Sequence, residues 1–144
     1  EMCIRDSWMP LRGRMLHLLQ EEAELDEIVK LVGMDALSPS DRLKMETARS
    51  IREDFLHQLA FHEVDTYTSL QKQLLMMRLI LNFYDLANET LRQGGEIEKI
   101  VTLPVREEIG RFKYVPEDQI GEAFGRISTD LVNQMKETIG EERL

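Results

Sequence analysis

The sequence predicts an all-α fold, a bundle-like array of five or six helices. Apolar residues recur at intervals of three and four along most of the chain, which is the period of an amphipathic helix. No stretch combines alternating polarity with enrichment in β-branched residues, as a strand would. With 144 residues, the chain can bury one core. We expect a frayed or non-native segment over residues 1–10 and a single helical domain over residues 11–144.

The first helix is predicted from about Leu11 to Val32, with Pro10 near its start. Its apolar stripe consists of Leu11, Met15, Leu18, Leu25, Ile28, Val29 and Val32. Gly33 can adopt the left-handed conformation that ends a helix. The opening EMCIRDS has neither an apolar period nor a cap. We therefore expect it to be a frayed end and the chain to be part of a longer protein.

The stretch DALSPSD, residues 35–41, predicts the start of the second helix. Ser38 can cap that helix, and Pro39 falls at the first helical position, where its missing N–H costs nothing. Asp41 places a negative charge at the positive end of the helix. The helix is expected to reach about Gln58. Its predicted buried stripe is Leu43, Ala48, Ile51, Phe55 and Leu59.

The third helix has the clearest apolar pattern. We expect it to begin at a capping box formed by Thr68 and Gln71 and to end at Gly94 and Gly95. Its stripe is Leu70, Leu74, Met77, Leu81, Tyr84 and Leu91. Later helices are predicted over residues 96–101, 104–113 and 116–139.

Composition argues against several classes of function. The net charge of −9 does not suit a nucleic-acid surface, which needs clustered Lys and Arg. The single cysteine, Cys3, cannot form an internal disulfide or a cysteine-based zinc site. No apolar run approaches the roughly 20 residues of a membrane-spanning helix. We expect no nucleic-acid partner, and contact with a membrane only through other proteins.

Motifs for catalysis and metal binding are incomplete. Asp54 and His57 lie three residues apart, but the repeated Glu-x-x-His of di-iron bundles is missing. His62 and Glu63 begin a zinc-protease motif whose second histidine is replaced by Thr66. There is no glycine-flanked serine and no phosphate-binding loop of the G-x-x-x-x-G-K-[ST] type. We expect neither catalytic residues nor a metal site in this chain.

The segment AFHEVDTYT, residues 60–68, separates two strong helices. It is too polar for a core and lacks the Gly or Pro of a simple turn, and such loops concentrate functional side chains. Phe61 could be a packing anchor or a ligand contact. The residues alone favour the packing anchor.

Three stretches carry a family resemblance: LLQEEAELDEIVKLVG, ARSIREDFLHQLAFHEVDTYTSLQKQ and LPVREEIGRFKYVPED. In order and spacing they resemble the C-terminal helical domain of the catalytic alpha chain of archaeal and vacuolar-type rotary ATPases. The resemblance covers nearly everything from Leu11 onward. It implies that a nucleotide-binding domain lies upstream and binds most of the ATP or ADP with Mg, and that this chain alone is inactive.

The resemblance also implies partners and a location. The parent alpha chain would alternate with the B-type companion subunit in a hexameric head, contact the rotor subunits of the central stalk and lie in the cytoplasm, peripheral to the membrane. Its function would be to couple ATP hydrolysis or synthesis to ion transport. The alternative is a free-standing helical adaptor whose apolar grooves bind partner helices.

Two sites follow from the resemblance. The turn at residues 35–41 resembles a loop in the beta chain of the related F-type ATPases. That loop carries an acidic motif and pushes on the rotor. The implied rotor-facing residues are Asp35, Ala36, Leu37, Ser38, Pro39, Ser40 and Asp41. Ala36, Pro39 and Ser40 replace three glutamates, so we expect the push to be mainly steric. The second site is the segment at residues 60–68, where Phe61 is implied to pack against adenine. Just before it, Leu59 stands where we expect a polar residue.

Overall fold

The computed structural model describes residues 3–56 and 69–143, with side chains described for residues 7–56 and 69–140. Its α-helices are α1 (Cys3–Val32), α2 (Pro39–Ser50), α3 (Leu70–Arg92), α4 (Ile97–Val101), α5 (Val105–Arg111) and α6 (Ile120–Arg143). Three short 3₁₀ turns cover Met34–Ala36, Phe112–Tyr114 and Glu117–Gln119, and a π-helical segment covers Ile51–Leu56. These residues contain no strand, which confirms the all-α prediction.

Helix α3 is the centre of the packing. It contacts α1 and α2 on one side and α6 on another, while α4 and α5 pack between α2 and α6. The most deeply buried side chains include Leu43, Ile51, Met77, Leu79, Leu81, Ile100, Phe112, Ile127 and Leu131. One continuous core therefore joins all of these helices.

Helix α1 begins earlier than predicted. It starts at Cys3 and includes Pro10 in its interior. An interior proline removes one backbone hydrogen bond and weakens the helix. Here Trp8 and Leu11, on either side of Pro10, pack against the core and hold the helix in place. That residues 1–10 are non-native stays a prediction.

The apolar stripe of α1 is only partly buried. Met15, Leu18 and Leu25 lie in the core, but Ile28 and Val32 are exposed, and the prediction is wrong for these two. The helical spacing of apolar residues shows which face of a helix is apolar, but it does not show whether another part of the protein covers that face. The described residues leave this end of α1 uncovered.

The predicted turn between α1 and α2 is confirmed. Gly33 has a φ of 91° and donates its N–H to the Val29 carbonyl at 2.8 Å. The Ser38 hydroxyl accepts the Asp41 backbone N–H at 3.1 Å, and Pro39 is the first residue of α2. One helix ends and the next begins within eight residues because each end has a dedicated cap.

The cap of α3 differs from the prediction. Ser69, rather than Thr68, caps the helix, and its hydroxyl accepts the Lys72 backbone N–H at 3.0 Å. The other end agrees, since Gly94 has a φ of 100° just beyond α3. Either Thr68 or Ser69 has the hydroxyl a cap needs, so the sequence leaves the choice open by one residue.

The second helix was predicted to be α-helical to about Gln58, which is wrong from Ile51 onward. The chain changes there to a π-helical segment that ends at Leu56, and Gln58 lies outside the described residues. Ile51 and Phe55 remain buried, as predicted. Arg106 of α5 donates a hydrogen bond to the Glu46 carbonyl of the same helix at 3.2 Å, ahead of this change.

Candidate functional site

Four exposed apolar side chains cluster where α1 ends. Leu31 is 83% exposed, Val32 63%, Met34 47% and Ile28 45%. We call this set the apolar tip. Ile28, Leu31 and Val32 share one face of α1 through spacings of three and four, and Met34 follows in the turn. Exposed apolar side chains that lie near one another are candidates for a surface that a partner covers.

The rotor-facing turn predicted from the sequence adjoins the apolar tip. Leu37 is buried and anchors the turn to the core. The residues Asp35, Ala36, Ser38, Pro39 and Ser40 are exposed, and Asp41 is half-buried. The turn therefore presents its surface outward from a fixed base.

Ion pairs tie the turn back to α1. Lys44 lies 3.8 Å from the Asp41 carboxylate and 3.3 Å from the Glu21 carboxylate. Burial alone would lower the pKa of Lys44, but the hydrogen bond with Glu21 and the negative charges of Glu21 and Asp41 act together in the opposite direction, and the pKa is raised. Lys44 thus stays charged and bridges α1 to the first turn of α2.

At its other end, α2 is held by Arg106 of α5. The Arg106 guanidinium donates to the Glu46 carboxylate and to the Ser50 hydroxyl, each at 2.8 Å. It also donates to the backbone carbonyls of Glu46 at 3.2 Å and Val101 at 3.0 Å. The guanidinium lies 5.3 Å from the centroid of the Phe83 ring. Arg106 therefore fixes the residues that lead into the π-helical segment.

Glu46 is the ionised partner in this arrangement. Burial acts to raise its pKa, but the hydrogen bonds and the positive charges of Arg49 and Arg106 together outweigh that effect, and the pKa of Glu46 is lowered. The Arg49 bond to Glu46 measures 2.7 Å. The carboxylate is thus shared between two guanidinium groups at the end of α2.

Asp54 lies in the π-helical segment and has a different environment. Its carboxylate is 4.0 Å from the Lys113 ammonium. Burial raises the pKa of Asp54, and the positive charges of Lys113 and Arg106 offset only part of that rise. Gly110 faces Asp54 so closely that a Cβ there would lie 3.1 Å from the carboxylate oxygen.

Lys72, in the first turn of α3, is a buried cation. It is 3% exposed. Its ammonium donates to the backbone carbonyls of Lys113 at 2.8 Å and Val115 at 2.7 Å. Burial lowers the pKa of Lys72, while the charge of Glu117 acts in the opposite direction. The amine thus binds the turn after α5 to the start of α3.

An open cleft of about 730 Å³ runs past these residues. Its lining includes Ser50, Asp54, Arg106, Gly110, Lys113 and Tyr114. The cleft is bordered by cations, and each of Arg49, Arg106, Arg111 and Lys113 has a carboxylate within 4.0 Å. Cations that are already paired suit polar packing against another protein surface better than capture of a free anion.

In the sequence, the two predicted sites lie on either side of α2 and the π-helical segment. The turn precedes the helix, and the loop with Phe61 follows the π-helical segment. Leu59 and Phe61 both lie outside the described residues, as do His62 and Glu63. Within residues 3–56 and 69–143, no group of three or more His, Cys, Asp or Glu side chains could hold a metal ion. In the same part of the chain, no helix has the length and apolarity needed to cross a lipid bilayer.

A comparison with protein families gives one match. Residues 1–101 match the model of the family described as the C-terminal domain of V and A type ATP synthase. The match covers well over half of the chain.

The chain belongs to this family.

Relatives of this V/A-type C-terminal domain carry a consistent name. The V-type ATP synthase alpha chain of Acetivibrio thermocellus is 56% identical over 139 residues, which is 96% of this chain and 24% of that protein. The alpha chain of Clostridium perfringens is 51% identical over 138 residues, or 96% of this chain and 23% of that protein. That of Thermoanaerobacter pseudethanolicus is 51% identical over 133 residues, or 92% and 22%. The chain thus spans about a quarter of the length of the relatives it matches.

Sequence patterns in the V/A-type domain did not single out Arg106 or Lys72. Both lie in the first turn of a helix, α5 and α3 respectively. A cation is disfavoured there because the helix dipole is positive at its N-terminus. A cation in a predicted first turn is therefore a usable signal that the side chain has a specific partner elsewhere.

Proposed function

We propose that this chain is the part of a V/A-type rotary ATPase alpha chain that transmits motion between nucleotide and rotor. The turn at residues 35–41 contacts the central stalk, and the loop with Phe61 closes over the adenine of a nucleotide. The upstream part of the parent alpha chain binds ATP or ADP with Mg and carries the chemistry. The parent alternates with the B-type companion subunit in a cytoplasmic head, peripheral to the membrane, and couples ATP hydrolysis or synthesis to ion transport.

The apolar tip is the observation that carries the rotor contact. Covering a Leu or Val side chain contributes about 1.5–3 kcal/mol, so a partner that covers Leu31 and Val32 gains appreciable free energy. The tip adjoins the turn whose acidic charge is reduced relative to the F-type loop. Contact through apolar side chains and a stiff turn is consistent with a steric push.

Helix α2 supports transmission between the two ends. Its 12 residues span about 18 Å at about 1.5 Å per residue. Ser38 and Pro39 fix one end, and Arg106 fixes the other at Ser50. A helix that is held at both ends moves as a rigid rod, so a displacement of one end is passed to the other end with little deformation of the helix.

The rotor contact is tested in an assembled complex by measuring ions transported per ATP hydrolysed. Leu31→Asp with Val32→Asp should lower this ratio severalfold, since burying two unpaired carboxylates is unfavourable. Asp35→Lys with Asp41→Lys, on the same turn, should leave the ratio largely intact. If the charge reversals uncouple the complex and the apolar substitutions do not, the steric contact is wrong.

The adenine contact is tested by competition with labelled ATP. Phe61→Ala in the assembled complex should weaken binding about tenfold, which is toward the lower end of the range for stacking a base on an aromatic ring. Unchanged affinity would make Phe61 a packing residue and leave the domain a purely mechanical part. The comparisons give no support to the free-standing adaptor considered from the sequence.

A further inference from the structure

We propose that Glu108 of α5 and Asp130 of α6 form a proton-sharing carboxyl pair that makes the packing of α5 on α6 depend on pH. The pair draws the two helices together while one proton is shared between the carboxyls, and it repels once both are ionised. Both residues lie in described helices of this chain, so the pair is independent of the proposed rotor and adenine contacts.

One side chain fixes the register between α5 and α6. The Val105 N–H, at the start of α5, donates to the side-chain oxygen of Gln134 on α6 at 2.9 Å. Glu108 follows Val105 by three residues, so it lies on the same face of α5 about one turn further on. Asp130 precedes Gln134 by four residues and likewise lies one turn along the same face of α6. The antiparallel register thus places the two carboxyl groups opposite each other, and they lie within hydrogen-bonding reach.

Apolar packing beneath the pair keeps the two helices in contact. Four side chains of the common core lie on these helices, and all four are buried: Val105, Ile109, Ile127 and Leu131. Glu108 and Asp130 adjoin this core and are both half-buried. Because the apolar side chains set the distance between the helices, the carboxyl groups stay close together whether or not they hold a proton.

The Glu108 carboxyl favours its protonated form. Burial raises its pKa above the ordinary value of 4.5, and the hydrogen bond and the negative charge of Asp130 raise it further. The positive charges of Arg126 on α6 and Arg111 on α5 act in the opposite direction and offset only part of this rise. Arg111 also lies 3.8 Å from the Glu107 carboxylate, which is exposed. Two neighbouring carboxyls in such a setting share one proton at pH values where isolated carboxyls are ionised.

Other charged side chains around α5 have partners elsewhere. Arg106 donates to the Glu46 carboxylate of α2. Lys113, just after α5, lies 4.0 Å from Asp54 of the π-helical segment. Among the described side chains, the charges that act on Glu108 belong to the three residues already named on α5 and α6. The pair therefore responds to pH separately from Asp54, whose pKa burial also raises.

The shared proton stabilises the folded chain on the acidic side. Just above pH 4.5, the folded chain keeps a proton on the pair that the unfolded chain has lost. This stabilisation is complete below that pH and is lost as the pH rises through the range in which the pair ionises. Helix α5 also carries Arg106, which bonds to Glu46 and Ser50 of α2. Loosening α5 on α6 therefore loosens the support that α5 gives to α2.

The experiment is a double-mutant cycle on the 144-residue chain, followed by urea unfolding at about pH 4 and about pH 7. Its variants are Glu108→Gln, Asp130→Asn and the combination of both. A glutamine amide can donate to the Asp130 carboxylate at any pH, as the shared proton does only in acid. At about pH 7, Glu108→Gln should raise the urea midpoint by about 0.3–0.5 M more with Asp130 present than in the Asp130→Asn background. At about pH 4, this difference should be less than about 0.1 M.

Glu107→Gln with Asp130→Asn is the matched control cycle. Glu107 lies in the same first turn of α5, so its replacement removes the same interaction with the helix dipole. It pairs with Arg111 and should show no coupling to Asp130 at either pH. Equal coupling in both cycles would overturn the inference. No coupling of Glu108 to Asp130 at about pH 7, or the same coupling at both pH values, would overturn it as well.

Hydrogen exchange of the Val105 N–H measures the contact between α5 and α6 directly. Gln134 of α6 accepts this N–H, so its protection reports local opening of the helix pair. After correction for the intrinsic pH dependence of exchange, protection in the unmodified chain should fall about threefold between about pH 4 and about pH 7. In Glu108→Gln it should stay constant. A fall of the same size in that variant would overturn the inference.

Discussion

Replacing Arg106 with Met, with Arg14→Met as the control, compares how much a buried and an exposed guanidinium contribute to the free energy of unfolding. Arg106 is 14% exposed and donates four hydrogen bonds, two of them to backbone carbonyls. Removing one partner of a buried ion pair costs about 3–5 kcal/mol. Glu46 keeps its bond to Arg49, which reduces the loss. We expect the free energy of unfolding to fall by about 3 kcal/mol.

Arg14→Met is the matched control for this stability measurement. Arg14 donates two hydrogen bonds to Asp85, but the two side chains are 44% and 53% exposed. An exposed pair of this kind contributes about 0–1 kcal/mol. Both substitutions remove one charge and keep a long apolar stem, so the difference reports burial and bonding.

The assay is urea unfolding of the 144-residue chain, followed by helicity and by the fluorescence of Trp8, the only tryptophan. With a slope of about 2 kcal/mol per molar urea, Arg106→Met should lower the midpoint by about 1.5 M and Arg14→Met by less than about 0.5 M. Equal midpoint shifts would refute the conclusion that Arg106 clamps the end of α2.

Two further predictions concern the π-helical segment and the cap of α2. Burial makes the pKa of Asp54 higher in the folded chain than its usual 3.8. Just above pH 3.8, the folded chain therefore binds more protons at Asp54 than the unfolded chain does. The free energy of unfolding consequently falls as the pH rises through that window. Asp54→Asn should thus gain stability relative to the unmodified chain between about pH 3 and pH 7 in urea titrations, and a constant difference would contradict this. Ser38→Ala should cost about 1 kcal/mol by removing the cap on the Asp41 N–H, while Ser40→Ala, exposed on the same turn, should cost much less in the same titration.

The helices could be predicted where the chain's own residues cover an apolar stripe. In α2 and the π-helical segment that follows it, the predicted positions Leu43, Ala48, Ile51 and Phe55 are all buried. In α3, Leu74, Met77 and Leu81 are buried, but Leu70 is exposed. The spacing of the apolar residues determines which face of the helix is apolar, whereas burial of that face depends on which other elements pack against it. The sequence therefore located α3 but not the exposure of its first residue.

Side chains that act across helices were the part the sequence did not predict. Arg106 bonds to residues 56 and 60 positions away, and Lys72 to residues 41 and 43 positions away. Contacts of that separation have no local pattern. The turn at Gly33 and Ser38, by contrast, needs only neighbouring residues and was predicted correctly.

The 30 residues of α1 make it a lever of about 45 Å. The apolar tip lies at one end of that lever. A rotation of only about 5° about the far end displaces the tip by about 4 Å, whereas a gap of about 0.5–1 Å already forfeits a quarter to a half of a van der Waals contact. A surface that covered Leu31 and Val32 would therefore be gained or lost within a few degrees of rotation of α1. A contact at the apolar tip would therefore form and break abruptly as α1 rotates.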